Sequence, residues 1–181
     1  KYDIKTSAFD RLAIIFYDNK PDDGNSYIQL LGLQNNKRVY KWVRRDYISE
    51  HASLDKYKVF IPAANGSGTF GEVLSSPLVG TPLIGSTQTF LTIGPFDNKK
   101  EAEAVLKYIY SKFVRALLGV LKVTQHNTSE KWQYVPLQDF TSSSDIDWTQ
   151  SVHEIDQQLY KKYGLDESEV EFIESHVKEM E

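Results

Sequence analysis

Residues 98–122, NKKEAEAVLKYIYSKFVRALLGVLK, decide the fold class. At about 100° per residue, Ala102, Val105, Leu106, Ile109, Tyr110, Phe113, Ala116, Leu117, Val120 and Leu121 share one broad apolar arc. Lys100, Lys107, Lys112, Arg115 and Lys122 fall on the opposite arc. Asp97 or Asn98 can cap the start, and Glu101 stands three residues after Asn98, as in a capping box. The pattern predicts one long amphipathic helix. Its basic side has two readings, a solvated helix face or a surface that tracks phosphates.

Upstream of that helix the signals are those of strands. Segments 11–18 (RLAIIFYD), 26–33 (SYIQLLGL), 35–45 (NNKRVYKWVRR), 57–62 (YKVFIP) and 89–94 (TFLTIG) are apolar or alternating and are bounded by turn residues. Pro95 is expected to stop the last of them. Residues 63–88, rich in Gly, Ser, Thr and Pro, predict mostly loop. Downstream, 132–140 should be extended, 141–148 a linker, and 149–163 and 166–179 two acidic helices with Gly164 as a cap between them. There is no internal repeat. Strands followed by helices give an α+β fold: a mainly antiparallel sheet, a long amphipathic helix and two C-terminal helices.

The 181 residues contain no cysteine, which excludes disulfides and thiolate metal sites and suits a cytoplasmic protein. No apolar run approaches the roughly 20 residues that a membrane span needs, so no membrane partner is expected. The net charge of −4 is unevenly spread. Residues 141–181 hold 11 acidic and 3 basic side chains, while residues 1–140 hold 14 and 18. The acidic overall balance argues against nucleic-acid binding and that of residues 1–140 does not, and the contrast divides the chain into a domain over 1–140 and an acidic helical appendage over 141–181. The chain opens on Lys1 in mid-pattern, as a piece of a longer protein would.

Several enzymatic motifs fail on their surroundings. GSGTFGEV at 66–73 matches both a dinucleotide loop and a kinase glycine loop. Pro77 and Pro82 deny it the following helix that a dinucleotide site requires. No lysine follows until Lys99, and neither HRD nor DFG occurs. His153-Glu154 begins a zinc-protease pattern, but Gln157 stands where the second histidine belongs. Asp3-Ile-Lys5, Asp18-Asn-Lys20 and Asp97-Asn-Lys99 have the form of nuclease carboxylate–lysine pairs but sit in turns or at a terminus.

Polar and basic segments are the stronger signal. Within 35–45, Lys37, Arg38, Lys41, Arg44 and Arg45 interleave with Tyr40 and Trp42, as on nucleic-acid-facing sheets or on an ordinary edge strand. After the basic helix come Thr124, Gln125, His126 and Asn127, side chains that pair with base edges or phosphates, or that line a solvated loop. In the glycine-rich loop, Asn65 and Ser67 are further candidates for backbone contact.

From about residue 57 onward the chain resembles the C-terminal target recognition region of adenine-specific DNA methyltransferases of type II restriction–modification systems, including the fused type IIG restriction enzymes. The resemblance lies in YKVFIPAANGSGTFGEVLSSPLVGTPLIGSTQTFLTIGPFD, EAEAVLKYIYSKFVRALLGVLKVTQHN, WQYVPLQDF and IDWTQSVHEIDQQLYKKYGLDESEVEFIE. It implies a domain that grips duplex DNA and reads a short target beside catalytic methyltransferase or nuclease domains of the same parent chain. In that family S-adenosylmethionine belongs to a separate domain carrying Asn-Pro-Pro-Tyr. This chain has no adjacent prolines, so no cofactor and no catalytic residue is expected in it. The expected DNA contacts are Lys37, Arg38, Lys41, Arg44, Arg45, Asn65, Ser67, Lys107, Lys112, Arg115, Lys122, Thr124, Gln125, His126 and Asn127. Two other classes stay open: a protein-interaction or scaffolding module without DNA contact, and a stand-alone metal-dependent nuclease.

Overall fold

The computed structural model describes residues 4–64, 69–121 and 129–180. They form an α+β fold with antiparallel pairing dominant. The chain divides into two compact units, Lys1–Ile61 with Leu78–Lys99, and Pro62–Pro77 with Lys100–Glu181.

The first unit opens with a short helix, α1 (Ala8–Arg11), and a 3-10 turn at Ala13–Ile15. A strand over 11–18 was the expectation, and it does not form. The rings of Phe9 and Phe16 meet edge-on at 4.9 Å, whereas an extended chain would hold these residues about 23 Å apart. Coiling brings both into the core with Ile28, Leu30 and Val43. Only a single bridge, Tyr17 to Trp42, remains of the strand.

Strand β1 (Tyr27–Gln34) is central and apolar on both faces, with Ile28, Leu30 and Leu31 all buried. It pairs antiparallel with β2 (Lys37–Arg44), in register from Tyr27–Arg44 to Gln34–Lys37. Asn35 and Asn36 make the two-residue connection with φ of 50° and 59°. Asparagine tolerates this left-handed backbone, which matches the twist of the flanking strands.

A second three-stranded sheet runs in the order β4 (Leu78–Gly80), β3 (Tyr57–Pro62), β6 (Phe90–Phe96). Strand β5 (Ile84–Ser86) lies parallel to β1 over Gln29–Leu31. Leu31, Phe60 and Phe90 pack together in a small core. Pro95 does not end β6, which continues to Phe96. Lys58 on β3 is buried, and its ammonium donates to the carbonyls of Leu54 (3.1 Å) and Ile84 (2.9 Å). Burial lowers its pKa to about 8, because desolvation penalises the charged form.

In the second unit the expected single helix is two, α2 (Lys99–Tyr110) and α3 (Lys112–Leu121). Ser111 separates them: its hydroxyl donates to the Tyr108 carbonyl and accepts from the Val114 N–H, as an N-cap side chain does. A short helix, α4 (Ser129–Trp132), follows, and 133–140 is irregular where extended chain was expected.

The terminal helices α5 (Val152–Tyr163) and α6 (Glu167–His176) form as the sequence predicts. Each has a capping box, Ser151 with Glu154 and Asp166 with Glu169, and Gly164 closes α5 at φ 67°. They do not stand apart as an appendage. Ile155, Leu159, Tyr160, Ile173 and Val177 share one core with Tyr108, Phe113, Val114 and Leu118. The chain segment 69–77 joins the same unit. Gly71, at φ 70°, lies so close to the His176 carbonyl that an added Cβ would come within 2.2 Å of that oxygen.

Candidate nucleic-acid interface

The two basic groups singled out from sequence have different fates. Five candidates fall on or just after β2. Strand alternation puts Lys37 and Lys41 on the face of Val39 and Val43, and Arg38 and Arg44 on the face of Tyr40 and Trp42. Lys37, Arg38 and Tyr40 are exposed, together with the turn residues Asn35 and Asn36. Pairing with β5 stops at Leu31, so the end of the hairpin extends past it.

Lower on the hairpin, local carboxylates take up the charge. Lys41 pairs with Asp18 and Arg44 with Asp46. Arg45 is gripped by Glu50 (3.0 Å) and Asp55 (2.8 Å), which raise its pKa further, Glu50 first. The same acids lie below their ordinary pKa where a shift is resolved, as for Asp46 beside Arg44 and Asp55 beside Arg45. Aromatic faces hold other cations: Arg38 over Phe90 at 5.4 Å, Lys20 over Trp42 at 5.9 Å, and Arg44 over Tyr47 at 5.0 Å. The exposed cations at the end of the hairpin are Lys37 and Arg38, the latter also over the Phe90 ring, beside the exposed Asn35 and Asn36.

The helix candidates are corrected. Lys107, Lys112 and Arg115 do not form a solvated basic face. Lys112 and Arg115 are 9% and 3% exposed, and Phe113, Val114 and Ala116 beside them are buried too. Over Lys112–Ala116 the helix is enclosed on all sides, and the two-arc reading does not apply there. Lys107 donates to the carbonyls of Trp148, Thr149 and Gln150 (3.0, 3.2 and 2.7 Å). Lys112 binds the carboxylate and carbonyl of Glu174. Arg115 donates through Nε to the Tyr110 carbonyl, 3.0 Å away at the end of α2. These cations hold helix ends and turns together.

The carboxylate that organises this region is Asp156, which no sequence motif marked. It is buried, and its two oxygens accept from the N–H groups of Lys112 and Phe113, both at 2.9 Å. It thereby caps α3 from another helix. Burial raises its pKa to about 6, against the opposing effect of those two hydrogen bonds. The signal available in sequence was an acidic residue on the apolar side of α5, four residues from the inward-facing Tyr160.

Asn65, Ser67, Lys122, Thr124, Gln125, His126 and Asn127 lie outside the described residues. Among the described residues, no three His, Asp or Glu side chains gather as a metal cage. The nuclease-like carboxylates Asp18 and Asp97 are paired with Lys41 and Lys56. No helix of the described residues is long and apolar enough to cross a membrane. Comparison with protein-family models, curated proteins and solved structures found no match for the chain.

Proposed function

We propose that this chain is a sequence-specific DNA recognition domain of a bacterial, cytoplasmic type II restriction–modification adenine methyltransferase or restriction enzyme, acting on double-stranded DNA beside catalytic domains of the same parent chain. The observation that carries the reading is the exposed end of the β1–β2 hairpin. A two-stranded ribbon fits the major groove. Asn35 and Asn36 at its turn each carry a carboxamide, the group that bonds adenine bidentately, and Lys37 and Arg38 offer phosphate or guanine contacts. Charge agrees: the first unit carries 12 basic and 9 acidic residues, the second 9 and 16. The segment resemblance supports duplex DNA as the partner and places S-adenosylmethionine in the companion domain.

The test is duplex binding measured across a salt series, with selection from a randomised duplex pool. Lys37→Ala/Arg38→Ala should weaken binding about tenfold or more and flatten the salt slope by about 2. Unchanged affinity and slope in that variant would remove the hairpin as the DNA contact. Substituting Lys112 or Arg115 would report folding instead, since both are buried.

A further inference from the structure

The turn of the β1–β2 hairpin carries a side chain that its backbone does not need. Asn35 and Asn36 both have positive φ, 50° and 59°, between the paired residues Gln34 and Lys37. Two-residue hairpin turns of this hand favour asparagine at the first position and glycine at the second, because glycine takes positive φ without steric cost. Asn35 is therefore the ordinary residue for its place, whereas Asn36 stands where glycine would be less strained. At two other open left-handed positions the chain does use glycine. Gly24 and Gly164, at φ 78° and 67°, have nothing within 4 Å of an added Cβ.

Local hydrogen bonding does not account for Asn36 either. Short polar side chains in turns accept from the backbone N–H two residues on. Asp23, Asp139 and Asp147 do so in this chain, from Asn25, Thr141 and Thr149, at 3.0, 2.8 and 3.0 Å. The carboxamide of Asn36 is exposed and has no hydrogen-bond partner among the described residues. Lys37 beside it is likewise exposed and unpaired among the described residues, while Lys41, Arg44 and Arg45 further along are held by carboxylates. Both groups stand at the end of a ribbon that extends past its neighbour β5.

We propose that Asn36 is the specificity-determining residue of the hairpin: it reads an adenine edge in the major groove, while Asn35 shapes the turn and Lys37 holds a phosphate. This role rests on the proposed DNA-recognition function and adds a base to it. A carboxamide presents one acceptor and one donor side by side. Its oxygen accepts from the N6 amine of adenine and its NH2 group donates to N7, an adjacent pair that adenine alone offers in the major groove. The ammonium of Lys37 is a point charge without a plane, and bonds a phosphate without reading sequence. The target therefore contains at least one A·T pair fixed by Asn36.

The unsubstituted chain, Asn36→Gly and Asn35→Gly each select duplexes from a randomised pool, and their affinities for the selected sequence are measured across a salt series. The unsubstituted chain should enrich an adenine at a fixed position. Asn36→Gly should lose that preference and bind the original sequence about tenfold more weakly, with the same salt slope because no charge is removed. Asn35→Gly should keep the preference. Glycine suits both positions, so neither variant should unfold earlier than the unsubstituted chain. Earlier unfolding of Asn36→Gly would show that its side chain serves the turn, and would overturn the proposal. So would an unchanged adenine preference in Asn36→Gly, or its loss in Asn35→Gly. Lys37→Ala/Arg38→Ala separates the two levels. If it leaves binding unchanged, the hairpin is not the DNA contact; if it weakens binding while Asn36→Gly changes nothing, only the reading role of Asn36 falls.

Discussion

The basic residues of β2 and those of α2–α3 look alike in sequence and differ entirely in use. On and just after β2, Lys41, Arg44 and Arg45 sit at or near the surface and are paired with carboxylates that themselves face solvent. On α2–α3, Lys107, Lys112 and Arg115 point at carbonyls and one carboxylate inside the unit, at the places where helices end. A cation on an edge strand keeps one side open whatever the sheet does. A cation on a helix stays at the surface only if the helix has a free face, and α3 has none over Lys112–Ala116. The lesson is that a basic stripe reports a surface only after the element carrying it has been shown to be continuous and one-sided.

The comparison can be broken at its strongest point first. Asp156→Ala removes the cap of α3 and leaves the buried charge of Arg115 less compensated. It should cost about 3–5 kcal/mol in urea unfolding. A loss below about 1 kcal/mol would show that the buried polar group is incidental.

The acid limb gives the next effect. The folded pKa of Asp156 is raised, to about 6 from 3.8, so the folded state binds its proton more tightly than the unfolded state. The destabilisation is therefore full above pH 6 and is relieved as pH falls toward 3.8. Relative to Asp156→Asn, the unsubstituted protein should gain about 2 kcal/mol between about pH 7.5 and about pH 4. Parallel curves for the two proteins would remove the buried carboxylate as a titrating group.

Lys58 extends the contrast into the first unit, as a buried cation among strands. Lys58→Ala leaves the Leu54 and Ile84 carbonyls without that donor and opens space beside β3, for a loss of about 2–3 kcal/mol by thermal or urea unfolding. The smallest change belongs to the surface. Arg45→Ala should alter stability less than any of the other substitutions, and the difference should shrink as salt is added. A larger, salt-insensitive loss would make Arg45 a structural cation like Lys112.

Much of the fold was legible. Strands 26–33, 35–45 and 57–62 appear close to their expected bounds, because alternation and turn residues agree there with burial. Both terminal helices do too, since their capping boxes and Gly164 are local signals. What stayed hidden was decided by distant partners. RLAIIFYD coils because Phe9 and Phe16 share a core, and residues 98–122 break at Ser111 because Asp156, from another helix, takes up the N–H groups that follow it. Of the candidate site, Lys37 and Arg38 lie exposed as expected, while the turn amides of Asn35 and Asn36 were read only as a turn. The three helix cations were misplaced because periodicity counts polarity and cannot see a neighbour that encloses the helix.

Gly71 ties this architecture to the order in which the chain is made. The Lys178 N–H donates to the Gly71 carbonyl, and the Leu74 N–H reaches the Met180 sulfur at 3.2 Å across 106 residues of sequence. On a ribosome, every residue of the first unit has emerged once Lys99 is out, whereas segment 69–77 must wait until Met180 arrives to find its partners. Closing so long a loop is slow. The first unit therefore has all its residues before the second does, and the glycine-bearing segment waits for partners about a hundred residues downstream.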